Sequence, residues 1–431
     1  MEPKVYTLTT GLKVIFIDTE TFPTLTTLLM VGAGSRYENE NNNGIAHFFE
    51  HMAFKGSKKY PSSFVISSTV EGLGGVFNAF TSKDHTGYWI KSTTNHFGTV
   101  LDVISDMVLN PLLVPDEINR EKGVITEEIN LYEDMPYRKV GDVFENLLYP
   151  NNPLGYDIAG EKKTVKNFDR QTFTDYIGEL YHPKNAVLVV AGGLSKGNSE
   201  FRIQNYLEII EKKFGNWLDG KKGSFIKVDE NQTKPQILIK TKKTEQAHFC
   251  LGFRAFSFFD KRKSALTVLA AMLGGGMSSR LFIEVRERRG LCYYISTGRE
   301  LYHDVGNLVT QAGVTNDLSK VKEAIETILK EKRKIANGEI TKEEMKKAKE
   351  LLKGRLLLSM EDSFNIASFF GTKQILEGKI EKPEELIARI DKVTEEEVVT
   401  LAKEIFTPAK LNFALIGPFE KKDFDENLFN F

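Results

Sequence analysis

Two periods of apolar residues alternate along the chain. Short apolar-rich runs at 5–8 and 12–17, around a Thr-Gly turn, predict two strands. Thr24–Val31 is a third apolar run, followed by a Gly- and Asn-rich loop at 32–43. Ile45, Phe48, Phe49 and Met52 then recur at helical spacing, which predicts a half-buried helix. Further along, the pattern predicts a helix at 64–73, strands at Val76–Thr81 and 88–92, and a helix over Phe97–Leu109 broken by Asn110-Pro111. A long helix at 116–132, another at 171–181 and a strand at 186–191 complete the first half.

The second half repeats this order. A helix, Tyr181-His182-Pro183 and the run NAVLVVAG recur some 225 residues later as a helix, Phe406-Thr407-Pro408 and LNFALIG. The beginnings align HMAFKG at 51–56 with AMLGGG at 271–276. Two homologous α+β halves follow, each a mainly antiparallel sheet covered on one face by helices. The expected boundaries are 1–218 and 235–431, joined by a polar linker at 219–234. The charged helices at 318–337 and 342–358, the latter capped by Thr341 with Glu344, read as solvated scaffold.

Composition narrows the class. A chain of 431 residues, 41% hydrophobic and 27% charged, exceeds one ordinary core. A net charge of −1 with mixed signs argues against a nucleic-acid or anionic-membrane partner. No apolar run reaches membrane-spanning length. Two cysteines, Cys250 and Cys292, make no disulfide framework. With no signal or transit pattern at the N-terminus, a cytoplasmic protein is expected.

The predicted helix at 45–53 carries the chemistry. His47 and His51 are four apart and aim two imidazoles at one point, and Glu50 shares that side. Two imidazoles and an oxygen ligand suit zinc, with a fourth position left open for reaction. Two surface histidines with a chance glutamate is the plainer reading, and the apolar flanks argue against it. A third ligand must come from elsewhere. The 116–132 helix offers Glu117, Glu121, Glu127, Glu128 and Glu133. Glu121 and Glu128, two turns apart, share a face, with Glu128 as ligand and Glu121 as the carboxylate orienting an imidazole. Spacing alone does not exclude a solvated acidic face. On the repeat, Thr267, Ala270 and Ala271 replace His47, Glu50 and His51, so one zinc per chain is expected. Val76–Thr81 could offer a peptide a strand edge. His85, His96, His182, His248 and His303 lack partners at ligand spacing and take no role, and GGGMSS at 274–279 reads as a turn or hinge.

HFFEHMAFKGSKKYP, GGVFNAFTSKDHT, REKGVITEEINLYEDMP and SSRLFIEVRERRGLCYY together resemble, in order and over nearly the whole chain, the pitrilysin group of inverted zincins. Within that group the chain is similar especially to the β-subunit type of mitochondrial processing peptidase and its bacterial relatives. H-x-x-E-H is the zincin pattern reversed. The resemblance implies that the V-I-x-x-E block at 124–128 supplies Glu128 as third ligand, with Glu121 behind it. It implies Glu50 as general base and acid, Arg286 and Tyr293 as oxyanion donors, and substrate contacts at Asn78, Ala79 and Phe80. The implied function is a zinc endopeptidase for unfolded or short peptides, working as a homodimer or with a homologous second subunit. A targeting-sequence processing peptidase is one alternative, and a non-catalytic core subunit of the same fold is another.

Overall fold

A computed structural model describes residues 1–194, 199–220 and 223–429. Two compact units divide the chain: Met1–Asn130 with Tyr156–Ile226 and Leu358–Lys382, and Leu131–Gly155 with Lys227–Leu357 and Pro383–Phe431.

The first unit holds β1 (Lys4–Thr7), β2 (Lys13–Asp18), β3 (Thr24–Val31), β4 (Val76–Thr81), β5 (Thr86–Thr93) and β6 (Ala186–Gly192). Their order is β1-β2-β6-β3-β5-β4, with β2 and β6 parallel and the other pairs antiparallel. The second unit holds β7 (Gln236–Thr241), β8 (Gln246–Ala255), β9 (Cys292–Leu301), β10 (Gly306–Thr315) and β11 (Leu411–Gly417). Their order is β7-β11-β8-β10-β9, with only β7 and β11 parallel. Without β1 the two orders coincide strand for strand. The duplication seen in the sequence is therefore a duplication of topology.

Helices cover both faces of each sheet, not one. Ile15, Ile17, Leu28, Met30, Val187 and Val189 point to one side of the first sheet, where they bury Ile366, Ala367 and Phe370 of the helix Ser363–Thr372. That helix comes from the second half of the sequence. Its Gly371 lies close against the sheet: an added Cβ would stand 2.5 Å from Met30 Sδ and force that side chain to shift. Val14, Phe16, Leu188 and Val190 are buried on the opposite side, where Phe16 stacks on Tyr206 of the helix Ser199–Phe214. Both alternate sets being apolar explains why these strands read as continuous apolar runs.

The second unit follows the same plan. Leu251, Phe253, Leu411 and Phe413 face one core, while Cys250, Ala414 and Ile416 meet Val140, Phe144 and Leu148 of the helix Pro136–Leu148. This helix comes from the first half of the sequence. The compact units therefore do not follow the expected boundaries at 1–218 and 235–431. The expected linker includes residues 221 and 222, which lie outside the described residues. Its remainder at 223–234 carries no helix or strand.

Candidate metal centre

The motif helix runs Ile45–Ala53. Its apolar side is fixed by rings: Phe48 lies 5.0 Å from Phe173 and Phe49 lies 5.0 Å from Tyr181, both edge-on. Burying two phenylalanines contributes roughly 1.5–3 kcal/mol each. It also sets the helix rotation that turns His47, Glu50 and His51 the other way.

Opposite them runs the helix Pro115–Glu133. Ile118, Ile125 and Ile129 are buried, which holds the face carrying Glu121 and Glu128 towards the histidines. Ligand atoms of His47, His51 and Glu128 all lie within 4.8 Å of one another, the one such group among the described residues. Glu128 Oε2 stands 3.7 Å from His47 Nε2 and 3.5 Å from His51 Nε2. These separations exceed the 2.7–3.2 Å range of N–H···O bonds. They suit instead the edges of a tetrahedron about a zinc ion, which for ligand bonds of about 2.1 Å are about 3.4 Å. The three donors therefore fit zinc.

Neighbouring groups set the donors' charge. Burial, helped by the proximity of His51 and opposed by Glu128, lowers the His47 pKa to about 4, so the ring is neutral at pH 7. For His51, burial works downwards, but the hydrogen bond to Glu121 and the charges of Glu128, Glu121 and Glu50 prevail and raise it. His51 Nδ1 meets Glu121 Oε1 at 2.9 Å, and Glu121 Oε2 meets Lys55 Nζ at 2.6 Å. A chain Lys55–Glu121–His51 thus fixes the ring with Nε2 towards Glu128. Glu127, one residue away, is exposed and takes a bond from Asn130 Nδ2 at 3.3 Å.

Glu50 lies beside this group. Burial raises its pKa, with Glu128 adding to the shift and Thr81 and His51 opposing it. Thr81 Oγ1 donates to Glu50 Oε2 at 2.5 Å, fixing the carboxylate from β4. Among the described residues β4 ends the sheet, paired only with β5. On it Asn78 is exposed and its Oδ1 accepts from Ala79 N at 2.9 Å. The Phe80 ring turns inward against Gly87 and lies 6.3 Å from Phe364, so its side chain serves packing.

Arg286 and Tyr293 belong to the second unit. Arg286 sits in a π-helical segment, Phe282–Glu287, and its guanidinium carbon lies 5.8 Å from the Tyr293 ring centre. Tyr293 is 74% exposed on β9, the edge strand equivalent to β4. On the helix Lys263–Gly274, where the repeat aligns with the motif helix, Thr267 Oγ1 donates to Lys263 O at 2.7 Å and accepts from Arg299 Nε at 2.6 Å. Among the other histidines, His85 meets Ser82 Oγ at 3.0 Å and His248 meets Tyr294 Oη at 3.1 Å, as structural side chains do.

Lys55 and Thr81 were not singled out in the sequence. Lys55 stands one turn beyond His51, so its i, i+4 spacing was a usable signal. Thr81 meets Glu50 only through the fold.

Residues 13–162 match the family model "Insulinase (Peptidase family M16)" and residues 167–352 match "Peptidase M16 inactive domain". A Bacillus subtilis protein called uncharacterized zinc protease YmxG is 35% identical over 416 residues, spanning 96% of this chain and 98% of its own. An uncharacterized zinc protease of Mycobacterium leprae is 31% identical, over 96% of this chain and 92% of its own. The crystal structure of a protease from Helicobacter pylori shares the fold with a TM-score of 0.88 at 23% identity, over 97% of this chain and all of its own (100%). Matched along nearly its whole length in sequence and in fold, the chain belongs to peptidase family M16, the insulinase family.

Proposed function

We propose that the chain is a zinc-dependent endopeptidase that cleaves unfolded or short peptides. The observation that carries this reading is the Glu128 spacing of 3.7 and 3.5 Å to the two imidazole Nε2 atoms, with Glu50 fixed alongside. His47, His51 and Glu128 would hold the metal. When bound, zinc supplies a Lewis acid and lowers the pKa of its water towards 7. Glu50, its pKa raised by burial, would accept a proton from the attacking water at its carboxylate and return it to the leaving amine. Thr81 holds the carboxylate in place for both transfers. The open edge of β4, around Asn78 and Ala79, pairs with an extended peptide through main-chain bonds, which suits unfolded substrates of varied sequence. Arg286 and Tyr293 donate to the oxyanion, from the same chain or from a partner copy or homologue. Among the described residues no helix is long and apolar enough to cross a membrane, which is compatible with the cytoplasmic location proposed from the sequence.

A non-catalytic subunit of this fold would have no use for a complete donor set beside a half-buried Glu50. A processing role for targeting sequences would use the same chemistry on a narrower substrate set. The test is turnover of a mixed set of unstructured peptides by the purified chain and by Glu50→Gln. The variant should keep zinc and peptide binding while its turnover falls about 100-fold or more. Near-normal turnover in the variant would remove Glu50 from the mechanism.

A further inference from the structure

The motif helix starts at a residue that cannot cap it. Gly44 has φ +98° and no side chain, and an added Cβ would meet Ala159 O at 2.8 Å and Gly160 Cα at 2.9 Å. Ile45 and Ala46 are nonetheless fully buried, so the first-turn N–H groups need partners within the protein. Ile45 N finds Asn42 O at 3.0 Å. Those of Gly44 and Ala46 are met by a carboxylate from the preceding loop. Glu38 Oε1 accepts from Ala46 N at 2.9 Å, while Oε2 accepts from Gly44 N at 2.8 Å and from Asn43 Nδ2 at 2.9 Å.

Three donors thus converge on two oxygens, at the positive end of a helix dipole. That set matches a carboxylate and mismatches an amide, whose NH₂ would face another donor. Glu38 is itself 3% exposed, so an unmatched bond there is not made good by water. Asn43 is anchored in turn, its Nδ2 on Asp157 O at 3.0 Å and its carbonyl accepting from Thr164 Oγ1 at 2.7 Å. The joint between loop and helix is therefore clamped from two sides.

Ala46 immediately precedes His47, and the clamp acts on its N–H. We propose that Glu38 is a positioning residue of the metal centre: it holds the first helical turn so that His47 meets His51 and Glu128 at bonding separation. This rests on the metal reading proposed above. An ordinary cap adds stability to a helix wherever it lies. Here the capped turn carries a ligand, and a constellation of this kind tolerates displacements of only about 0.5 Å.

The test compares zinc affinity, by competition with a chromogenic chelator, and zinc-free thermal unfolding for wild type, Glu38→Gln and Glu38→Asp. Folded Glu38→Gln should bind zinc 10- to 100-fold more weakly, the scale of lost outer-shell support, and Glu38→Asp should recover part of the loss. A folded Glu38→Gln with wild-type affinity would overturn the proposal and leave the metal reading standing, whatever its thermal midpoint. Should Glu38→Gln fail to fold, Asn43→Ala removes one donor while keeping the carboxylate. It should also weaken zinc binding, and unchanged affinity would overturn the proposal. A wild type that binds no zinc would overturn the metal reading and this inference with it.

Discussion

Glu121→Gln isolates what the chain Lys55–Glu121–His51 contributes to the metal centre. The carboxylate is 3% exposed and bonds His51 Nδ1 at 2.9 Å and Lys55 Nζ at 2.6 Å. Both partners hold its pKa down against the effect of burial, so it is ionised at pH 7. A glutamine keeps an oxygen for His51 but loses the charge. Bonds to charged groups contribute about 1.5–3 kcal/mol and neutral ones about 0.5–1.5, so the change removes about 1–1.5 kcal/mol from the support of His51. At about 1.4 kcal/mol per factor of ten, zinc affinity should fall about tenfold. Glu121→Ala removes the bond altogether and should fall further, towards 100-fold. Lys55, whose side chain is 26% exposed, can turn to water when its partner goes, which keeps the damage local. Competition against a chelator of known affinity measures all of this. Wild-type affinity in both variants would refute the claim that Glu121 orients His51.

Glu128→Gln should cut zinc binding sharply while Glu127→Gln leaves it unchanged, because of these two neighbours Glu128 alone faces the imidazoles; equal losses in a metal titration would refute the ligand assignment. Lys332 is fully buried, with Nζ on Thr310 Oγ1 at 2.9 Å between the Phe253 and Phe406 rings, and burial lowers its pKa from 10.5 to about 7. Above about pH 10.5 neither state holds the proton. Between there and about 7 only the unfolded chain gains it, so wild-type stability falls as pH falls, then levels. Lys332→Met should therefore be more stable than wild type at pH 7, and a stability gap that stays constant from pH 6 to 10 would contradict this. If Arg286 and Tyr293 serve a partner's site, Glu50→Gln and Tyr293→Phe chains, each inactive alone, should recover up to about a quarter of wild-type activity when mixed. No recovery from well-folded mixed dimers would place the pair in cis.

Much of this was legible because it is local. His47, Glu50 and His51 lie within one turn and a half, and helical spacing alone puts them on one side. The strands Thr24–Val31 and Val76–Thr81 and the helix Phe97–Leu109 have the bounds their patterns predict. Glu128 was harder, because five glutamates share its neighbourhood and the choice depends on which face packs. Ile125 and Ile129 decide it, and their burial is a property of the fold. The helices Pro136–Leu148 and Ser363–Thr372 went unread for a related reason. Each packs on a sheet built mainly from the other half of the sequence, and no local pattern records that destination. Glu38 shows the same limit: eight residues separate it from Ala46, and only the path of the loop brings them together.

The most direct measurement is anomalous diffraction from crystals of the zinc-loaded chain, collected on both sides of the zinc absorption edge. One peak per chain is expected, with His47 Nε2, His51 Nε2 and a Glu128 oxygen each about 2.0–2.2 Å away and the fourth side open. A peak elsewhere, a second one beside Thr267, or none between the two imidazoles would contradict the account.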